Sequence, residues 1–209
     1  MIDYIRDPKA IYAESFRLIE GELAQRGLTR DALSTRLIHA CGMIDIVDDI
    51  DMSEGAFEIG RDAIRSGAPI FCDAEMVARG IIKRALPAGS EPIVTLNDPL
   101  VPEISQTLET TRSAAAVELW ADRLQGAVVV IGNAPTALFH LLKGLENGWA
   151  RPALIIGMPV GFVGAAESKV ALAQSNPTPF ITVHGRRGGS ALASAAVNAL
   201  TLGLGGDGT

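Results

Sequence analysis

Cysteine is scarce in this chain. Cys41 and Cys72 are the only two in 209 residues, they lie far apart, and no CxxC pair occurs. A disulfide framework needs several cysteines and a structural zinc site usually needs paired ones. The sequence therefore predicts two reduced thiols that pack as small hydrophobic side chains, and it gives no reason to expect zinc.

Aromatic residues and positive charge are also in short supply. Aromatics make up 5% of the chain and the formal net charge is −6. A general nucleic-acid-binding protein needs a basic surface and often aromatic side chains on which bases stack. We therefore expect no nucleic-acid partner, although a local group of arginines could still bind an anionic small molecule because screening limits the reach of distant charges.

Long apolar runs are missing as well. No stretch approaches the roughly 20 consecutive apolar residues that span a bilayer, and the first residues lack the basic and then apolar pattern of a secretory signal. We expect no membrane partner and a cytoplasmic location. A hydrophobic content of 48% is sufficient for a sizeable core in a single domain.

Short apolar runs bounded by turn-forming residues recur in the last two thirds of the chain. Helix-like segments separate them, which is the alternation typical of a parallel sheet covered on both faces. The sequence predicts a doubly wound three-layer α/β/α fold with a five-stranded parallel sheet. The five predicted strands are residues 69–73, 92–96, 127–131, 153–157 and 180–183, and the intervening predicted helices are 74–84, 111–124, 137–145 and 164–174.

The opening third of the chain has a different pattern. Residues 8–25, 30–41 and 53–66 have helix-like spacing, so residues 1–66 are predicted to form a helical part packed on the α/β part at 67–202. No Gly, Ser and Pro-rich linker separates the two parts, which favours one domain over 1–209. The glycine-rich residues 203–209 are predicted to be a disordered tail.

Polar turns follow four of the predicted strands. In an open parallel sheet, ligands bind beyond the carboxyl ends of the strands, where loops lead into helix N-termini. The turns at 73–76, 132–136, 157–164 and 184–190 should therefore meet at one edge of the sheet. Thr136, Ser190 and the nearby helix N–H groups would offer donors to an anion, and Arg112 with Ser113 would add more.

The three histidines allow different interpretations. His39 lies among apolar residues near the end of a predicted helix, where a histidine is commonly a hydrogen-bonded core residue. Histidine is nevertheless the side chain best able to exchange a proton near neutral pH, so His39 is also the candidate general acid. His140 is interpreted as structural, and His184 as a residue that could contact a ligand at the sheet edge.

Several familiar motifs are absent or incomplete. No Walker A sequence, no GxGxxG after the first predicted strand and no GxSxG elbow occur, so nucleotide binding and serine-hydrolase chemistry have little support. Asp45, Asp48, Asp49 and Asp51 lack the glycine and closing glutamate of a calcium loop. They are interpreted as a solvated helix cap, and we predict neither a metal nor a cofactor.

Several blocks of the sequence, in order, resemble the precorrin-8X methylmutase family over nearly the whole chain. The blocks are DYIRDP at 3–8, IYAESF at 11–16, HACG at 39–42, GAPIFCDAEMV at 67–77, TRSAAA at 111–116, IGNAPTAL at 131–138, residues 157–169 and GRRGGSA at 185–191. The resemblance implies a flavodoxin-like sheet and a homodimer. It also implies an isomerase of cobalamin biosynthesis that moves a methyl group from C11 to C12 of the corrin macrocycle of precorrin-8X, giving hydrogenobyrinate, without S-adenosylmethionine.

The same resemblance suggests the site residues. The catalytic histidine of the family corresponds to His39, which would act as a general acid. The substrate carries acetate and propionate carboxylates, and its expected contacts are Ser15, Arg112, Ser113, Thr136, Ser168, Lys169, Arg186 and Ser190. His184 and Arg187 are residues of the sheet edge without an assigned role.

Two other classes of protein remain open at this point. A non-catalytic tetrapyrrole carrier would share the anion-binding edge but would not need an acid at His39. A flavodoxin-like flavin protein would also share the fold, although few aromatics are available to stack on a flavin. The sequence leaves open whether a corrinoid substrate is metal-free or already contains cobalt.

Overall fold

The computed structural model describes residues 4–29 and 31–202, so the predicted tail at 203–209 lies outside the described residues. The strands are β1 (Ile50–Met52), β2 (Ile70–Cys72), β3 (Pro92–Val94), β4 (Val128–Ile131), β5 (Leu154–Gly157) and β6 (Phe180–Val183). The helices are α1 (Pro8–Gln25), α2 (Ala32–Cys41), α3 (Ala56–Arg65), α4 (Glu75–Gly80), α5 (Val101–Thr107), α6 (Arg112–Glu118), α7 (Pro135–Glu146), α8 (Ala165–Ser175) and α9 (Ser190–Leu200). Short 3-10 turns lie at 44–49, 83–85 and 121–123.

The sheet differs from the prediction in strand number and in direction. It has six strands in the order β1-β6-β5-β4-β2-β3, and β1 runs antiparallel to β6. The prediction of a five-stranded, entirely parallel sheet is therefore wrong. The predicted helical part at 1–66 contains α1, α2 and α3 and also the unpredicted strand β1. The five predicted strands are all present and parallel to one another. The missed strand β1 has three residues beside an acidic cluster, and so short a run has no readable alternation.

Alternate residues of the central strands face two separate hydrophobic cores. Val128 and Val130 of β4 belong to the core under α1–α4 and α9, whereas Val129 and Ile131 belong to the core under α6, α7 and α8. Because successive side chains of a strand point to opposite faces, a strand buried on both faces must be apolar at every position. This explains the uninterrupted apolar runs and gives one sheet between two helical layers.

The N-terminal helices share a core with the α/β part. Ile19 and Leu23 of α1, and Leu33 and Leu37 of α2, pack into the same cluster as Val197 of α9. Cys72 is fully buried in this cluster and Cys41 is partly buried beside it, and both are free thiols.

Within the described residues, no helix is long and apolar enough to cross a membrane.

Candidate functional site

A cavity of about 620 Å³ lies between α2, α4 and α9. Three basic side chains reach it, namely Arg36 and His39 from α2 and Arg79 from α4. Its other lining residues are Tyr12, Ala40, Met76, Gly80, Ile82, Ser190, Ala191, Ser194, Ala195 and Asn198. The cavity thus combines an apolar lining with two guanidinium groups and an imidazole, which suits a largely apolar ligand that carries negative charge.

The ends of α2 place His39 at this cavity. The Asp31 carboxylate caps the start of α2 by accepting from the Ser34 N–H at 2.8 Å, and Gly42 ends the helix in the left-handed region at φ 69°. His39 therefore lies in the last turn and is exposed, while Leu37 and Ile38 point into the core. The alternative of a buried core histidine is excluded by this exposure.

Three side chains of α1 fix the orientation of the His39 imidazole. The ring stacks on Tyr12 with centroids 5.3 Å apart, and Phe16 approaches edge-on at 5.5 Å. Nδ1 lies 2.9 Å from the Ser15 hydroxyl oxygen. Ser15 and His39 together also line a smaller cavity of about 190 Å³. Because Ser15 occupies Nδ1, Nε2 is the nitrogen that remains for a ligand.

Ser190 is the second predicted site residue that lines the large cavity. It begins α9, and its Oγ is buried with no hydrogen-bond partner among the described residues. A buried hydroxyl without a partner is costly, so it is a natural contact for a polar group of a ligand or a water molecule. Gly188, two residues before Ser190, is packed against the loop after β5. A Cβ on Gly188 would lie 2.4 Å from the Met158 carbonyl oxygen and 2.6 Å from that of Pro159.

The turn after β4 does not offer its N–H groups to a ligand. Instead, the Asp73 carboxylate accepts from the N–H groups of Gly132, Asn133 and Ala134 at 3.0, 2.9 and 2.8 Å. Burial raises the pKa of Asp73, and these three hydrogen bonds oppose that rise. These three backbone N–H groups are therefore not free donors, because an internal carboxylate already occupies them, and Thr136 is the donor of this turn that stays a prediction.

Arg112, Ser113 and Thr136 lie at the neighbouring starts of α6 and α7. The Thr111 and Thr136 hydroxyl oxygens are 2.8 Å apart, and the Arg112 guanidinium donates to the Leu96 carbonyl and to Asn97 Oδ1. Ser113 is partly buried in the first turn of α6. The structure thus groups these residues with one another, and they are not part of the cavity lining at His39.

Ser168 and Lys169 of α8 are fully buried. The Ser168 hydroxyl donates to the Ala165 carbonyl at 3.0 Å, and the Lys169 amine donates to the Arg187 carbonyl at 2.6 Å. Burial lowers the pKa of Lys169 to about 8, against the opposing attraction of Asp49. Both predicted contacts therefore have internal partners in this structure.

The acidic cluster at 45–51 is ion-paired, which corrects its interpretation as a solvated cap. Arg187 pairs with Asp45 and Asp49, and His184 lies 2.8 Å from Asp51. Asp48 pairs in turn with Arg26. These contacts attach β1 and the turn before it to the loop after β6, which gives His184 and Arg187 a structural role.

The described residues contain no group of three His, Cys, Asp or Glu side chains placed to hold a metal ion.

Two other predicted residues have clear surroundings. Arg186, in the loop after β6, is exposed and its guanidinium lies 5.0 Å from the centroid of the Phe162 ring. His140 Nε2 lies 2.6 Å from the Glu118 carboxylate, between α7 and α6. The structural interpretation of His140 is therefore confirmed.

Sequence reasoning missed Arg36, Arg79, Tyr12 and Asn198. One signal was available, because Arg36 and His39 are three residues apart on α2 and so share a helix face. Nothing in the local sequence marks Asn198, whose side chain accepts from the Ile82 N–H and donates to the Gly80 carbonyl, at 2.8 and 3.0 Å. Asn198 therefore hydrogen-bonds the backbone at the end of α4, although it lies more than a hundred residues later in the chain.

The mixed sheet and this cavity define an α/β protein with an anion-compatible ligand site that contains an oriented imidazole. The family model described as precorrin-8X methylmutase matches residues 10–202. The precorrin-8X methylmutase of Pseudomonas aeruginosa is 56% identical over 96% of this chain and 98% of its own length. That of a Sinorhizobium species is 51% identical over 95% of this chain and 96% of its own.

A solved structure is also similar along most of the chain. The precorrin-8X methylmutase of Thermus thermophilus superposes with a TM-score of 0.80 and 40% identity, covering 92% of this chain and 96% of its own. The chain belongs to the precorrin-8X methylmutase family.

Proposed function

We propose that the protein is an isomerase of cobalamin biosynthesis that moves a methyl group from C11 to C12 of precorrin-8X to give hydrogenobyrinate, with His39 as general acid. The reaction class is supported by the family and by two relatives named precorrin-8X methylmutase at 56% and 51% identity. The observation that supports the role of His39 is its oriented imidazole at the wall of the cavity between α2, α4 and α9.

The cavity suits the chemistry of such a substrate. A corrinoid has a broad apolar ring system and a periphery of carboxylates. Met76, Ile82 and Ala195 would contact the ring, and Arg36 and Arg79 would bind carboxylates through charge-assisted hydrogen bonds. The buried Ser190 hydroxyl would gain a polar partner. Ser15, Arg112, Ser113, Thr136, Ser168, Lys169 and Arg186 remain predicted contacts.

The proposed acid role follows from the two nitrogens of His39. With Ser15 at Nδ1, Nε2 can carry a proton or a strong hydrogen bond toward a ring nitrogen of the substrate. Adding positive charge to the conjugated system makes it a better electron acceptor as the methyl group migrates. The proton returns to His39 after the migration, so substrate and product have the same composition. General acid catalysis of this kind contributes about 10²- to 10⁴-fold.

We also propose that the protein forms a homodimer. Phe162 and Val163 are 85% and 89% exposed, and Val160 and Phe139 are exposed nearby. A Cβ at Gly164 would lie 3.3 Å from the Phe139 ring, which places the loop after β5 beside α7. Large apolar side chains exposed near one another in this way favour self-association. Light scattering of the wild type and of Phe162→Glu tests this, with a lower mass expected for the variant.

The decisive experiment is conversion without any added cofactor. Purified protein is incubated with precorrin-8X, and the visible spectrum and the mass of the product are recorded. We expect a changed spectrum and an unchanged mass. A product heavier by one methyl group, or a requirement for S-adenosylmethionine, would exclude the isomerase. Tight binding with no spectral change would instead indicate a corrinoid carrier. A parallel incubation with the cobalt-containing substrate shows which form is used.

A further inference from the structure

Three consecutive backbone N–H groups converge on one carboxylate in the interior of the protein. Gly132, Asn133 and Ala134 all donate to Asp73, which directly follows β2 and is 2% exposed. Successive N–H groups arranged in this way form a concave site that binds anions in many proteins. Here the anion is supplied by the chain itself, and it connects the end of β2 to the end of β4.

The turn held by Asp73 contacts both α4 and α9. A Cβ built on Gly132 would lie 2.9 Å from Val77 Cγ2 of α4, 2.7 Å from Ala193 Cβ of α9 and 3.0 Å from Ser190 Cα. The Gly132 backbone therefore fills the space between these two helices with no room for a side chain. Both helices also line the cavity at His39, α4 through Arg79 and α9 through Ser190.

Asp73 is also next to the start of α4. Its neighbour Ala74 precedes the first residue of that helix, and the Asp73 N–H donates to the Val130 carbonyl at 3.1 Å. The carboxylate is therefore fixed relative to both strands while it holds the turn. A movement of the turn toward or away from the cavity would change the distance between Arg79 and Ser190.

We propose that Asp73 is a positioning residue for the reaction, because its carboxylate holds the 132–134 turn between α4 and α9 and so sets the separation of the two walls of the His39 cavity. It does not contact the ligand itself. The effect on turnover rests on the proposed function, whereas the effect on the start of α9 can be measured without any substrate.

A purely local role for Asp73 is the competing explanation. The first helical residues of α7 follow Ala134, which provides no side-chain cap, so the Asp73 carboxylate also serves as the cap of that helix. If this were its whole contribution, removing the carboxylate would loosen the start of α7 and leave α9 unchanged. The two explanations therefore differ in which helix responds.

The test uses Asp73→Ala, in which the three N–H groups face a space the size of the lost carboxylate, with and without added formate. Formate can enter and accept from the same N–H groups, whereas formamide, which is neutral, is the control. We expect kcat/KM for precorrin-8X to fall about 10- to 100-fold, the range typical of misplaced site residues, and to recover as formate is raised. Asp122→Ala removes an exposed carboxylate on the opposite helical layer and should behave as the wild type in both conditions.

Hydrogen exchange provides the readout that does not depend on activity. The Ala193 N–H donates to the Gly189 carbonyl at 3.0 Å in the first turn of α9. In Asp73→Ala we expect faster exchange at Ala193 as well as at 134–138, and slower exchange again with formate. Faster exchange confined to 134–138, or a folded variant with wild-type kcat/KM, would overturn the proposal.

A second variant covers the case in which Asp73→Ala does not fold. Asp73→Asn keeps the shape and one carbonyl oxygen but turns an amide N–H₂ toward the turn, so we expect an intermediate loss of kcat/KM and an intermediate rise in exchange at Ala193. Unchanged exchange in the folded Asp73→Asn would overturn the proposal. If the wild type itself fails to convert precorrin-8X, the proposed function is wrong, and the exchange measurement still decides the role of Asp73.

Discussion

The Ser15 hydroxyl lies 2.9 Å from Nδ1 of His39, which joins the first helix of the chain to the end of the second. The contact, together with the stacked Tyr12 ring, restricts the imidazole to one orientation at the cavity wall. An acid held in advance near its reaction geometry does not lose orientational freedom in the transition state, which lowers the barrier. Ser15 therefore combines a predicted substrate contact with an observed contact to the proposed acid.

Replacing His39 with alanine should remove the acid and preserve most of the binding surface. We expect kcat of His39→Ala to fall by about two to four orders of magnitude, the range for general acid catalysis, with a smaller change in corrinoid affinity. The change in visible absorption of precorrin-8X measures turnover. The matched control is His140→Ala, which removes a histidine paired with Glu118 away from the cavity. Unimpaired conversion by His39→Ala would exclude His39 from the chemistry.

Removing the Ser15 hydroxyl should affect the rate more than the binding. In Ser15→Ala the imidazole loses its Nδ1 partner and samples unproductive orientations, so we expect kcat to fall about tenfold, which corresponds to about 1.4 kcal/mol. Ser15→Thr keeps the hydroxyl and should recover most of the rate. Steady-state kinetics of both variants separate the two roles of Ser15. A rise in KM at constant kcat would show that Ser15 serves binding alone.

Much of the fold could be predicted because the central strands are apolar without interruption. Val128 to Ile131 are all fully buried between two helical layers. Such an apolar run between turn residues is typical of a parallel strand that is covered on both faces. The antiparallel strand β1 could not be predicted in this way. The strand contains the charged residue Asp51, and its three residues are too few to show an alternating pattern. The position of β1 also depends on pairing with β6, which lies more than a hundred residues later in the chain.

The site was predicted less completely because residue types do not reveal their partners. His39 and Ser190 are predicted from the sequence as site residues, and both line the cavity. The occupied N–H groups of the turn after β4 could not be predicted, because the carboxylate that accepts from them, Asp73, comes about sixty residues earlier. Lys169 likewise has an amine of the kind that binds anions. Its amine is instead buried against the carbonyl of Arg187, a residue of a different loop, and this contact cannot be read from the sequence around Lys169.

The cavity arginines should contribute to affinity. Arg36→Gln and Arg79→Gln each remove one cation from the lining, and we expect the dissociation constant of precorrin-8X to rise about tenfold or more, since hydrogen bonds to charged groups contribute about 1.5–3 kcal/mol. We expect Arg112→Ala to weaken binding as well, with a smaller loss of rate at saturation. Absorption titrations give these constants, and Arg65→Gln on α3 is the control because its partner is Asp62. An unchanged isotherm for Arg79→Gln would show that this side chain does not meet the ligand.

The buried amine of Lys169 should make stability depend on pH in the alkaline range. Burial lowers the pKa of Lys169 to about 8 from 10.5, so between these values the folded protein has lost the proton while the unfolded chain still holds it. Stability rises with pH wherever the unfolded state binds more protons. The contribution of Lys169 is therefore least favourable below pH 8 and becomes more favourable as the pH rises above it.

Comparison with Lys169→Met isolates this contribution, because methionine does not titrate and the other groups cancel in the difference. We expect the unfolding free energy of the wild type, relative to the variant, to increase by about 2 kcal/mol between pH 7.5 and pH 9.5, from a limit of about 1.4 kcal/mol per pH unit for one proton. Urea unfolding at each pH measures it. Lys143→Met, at an exposed position of α7, should follow the wild-type pH dependence. Parallel curves for the wild type and Lys169→Met would mean that the amine keeps its proton in the folded protein.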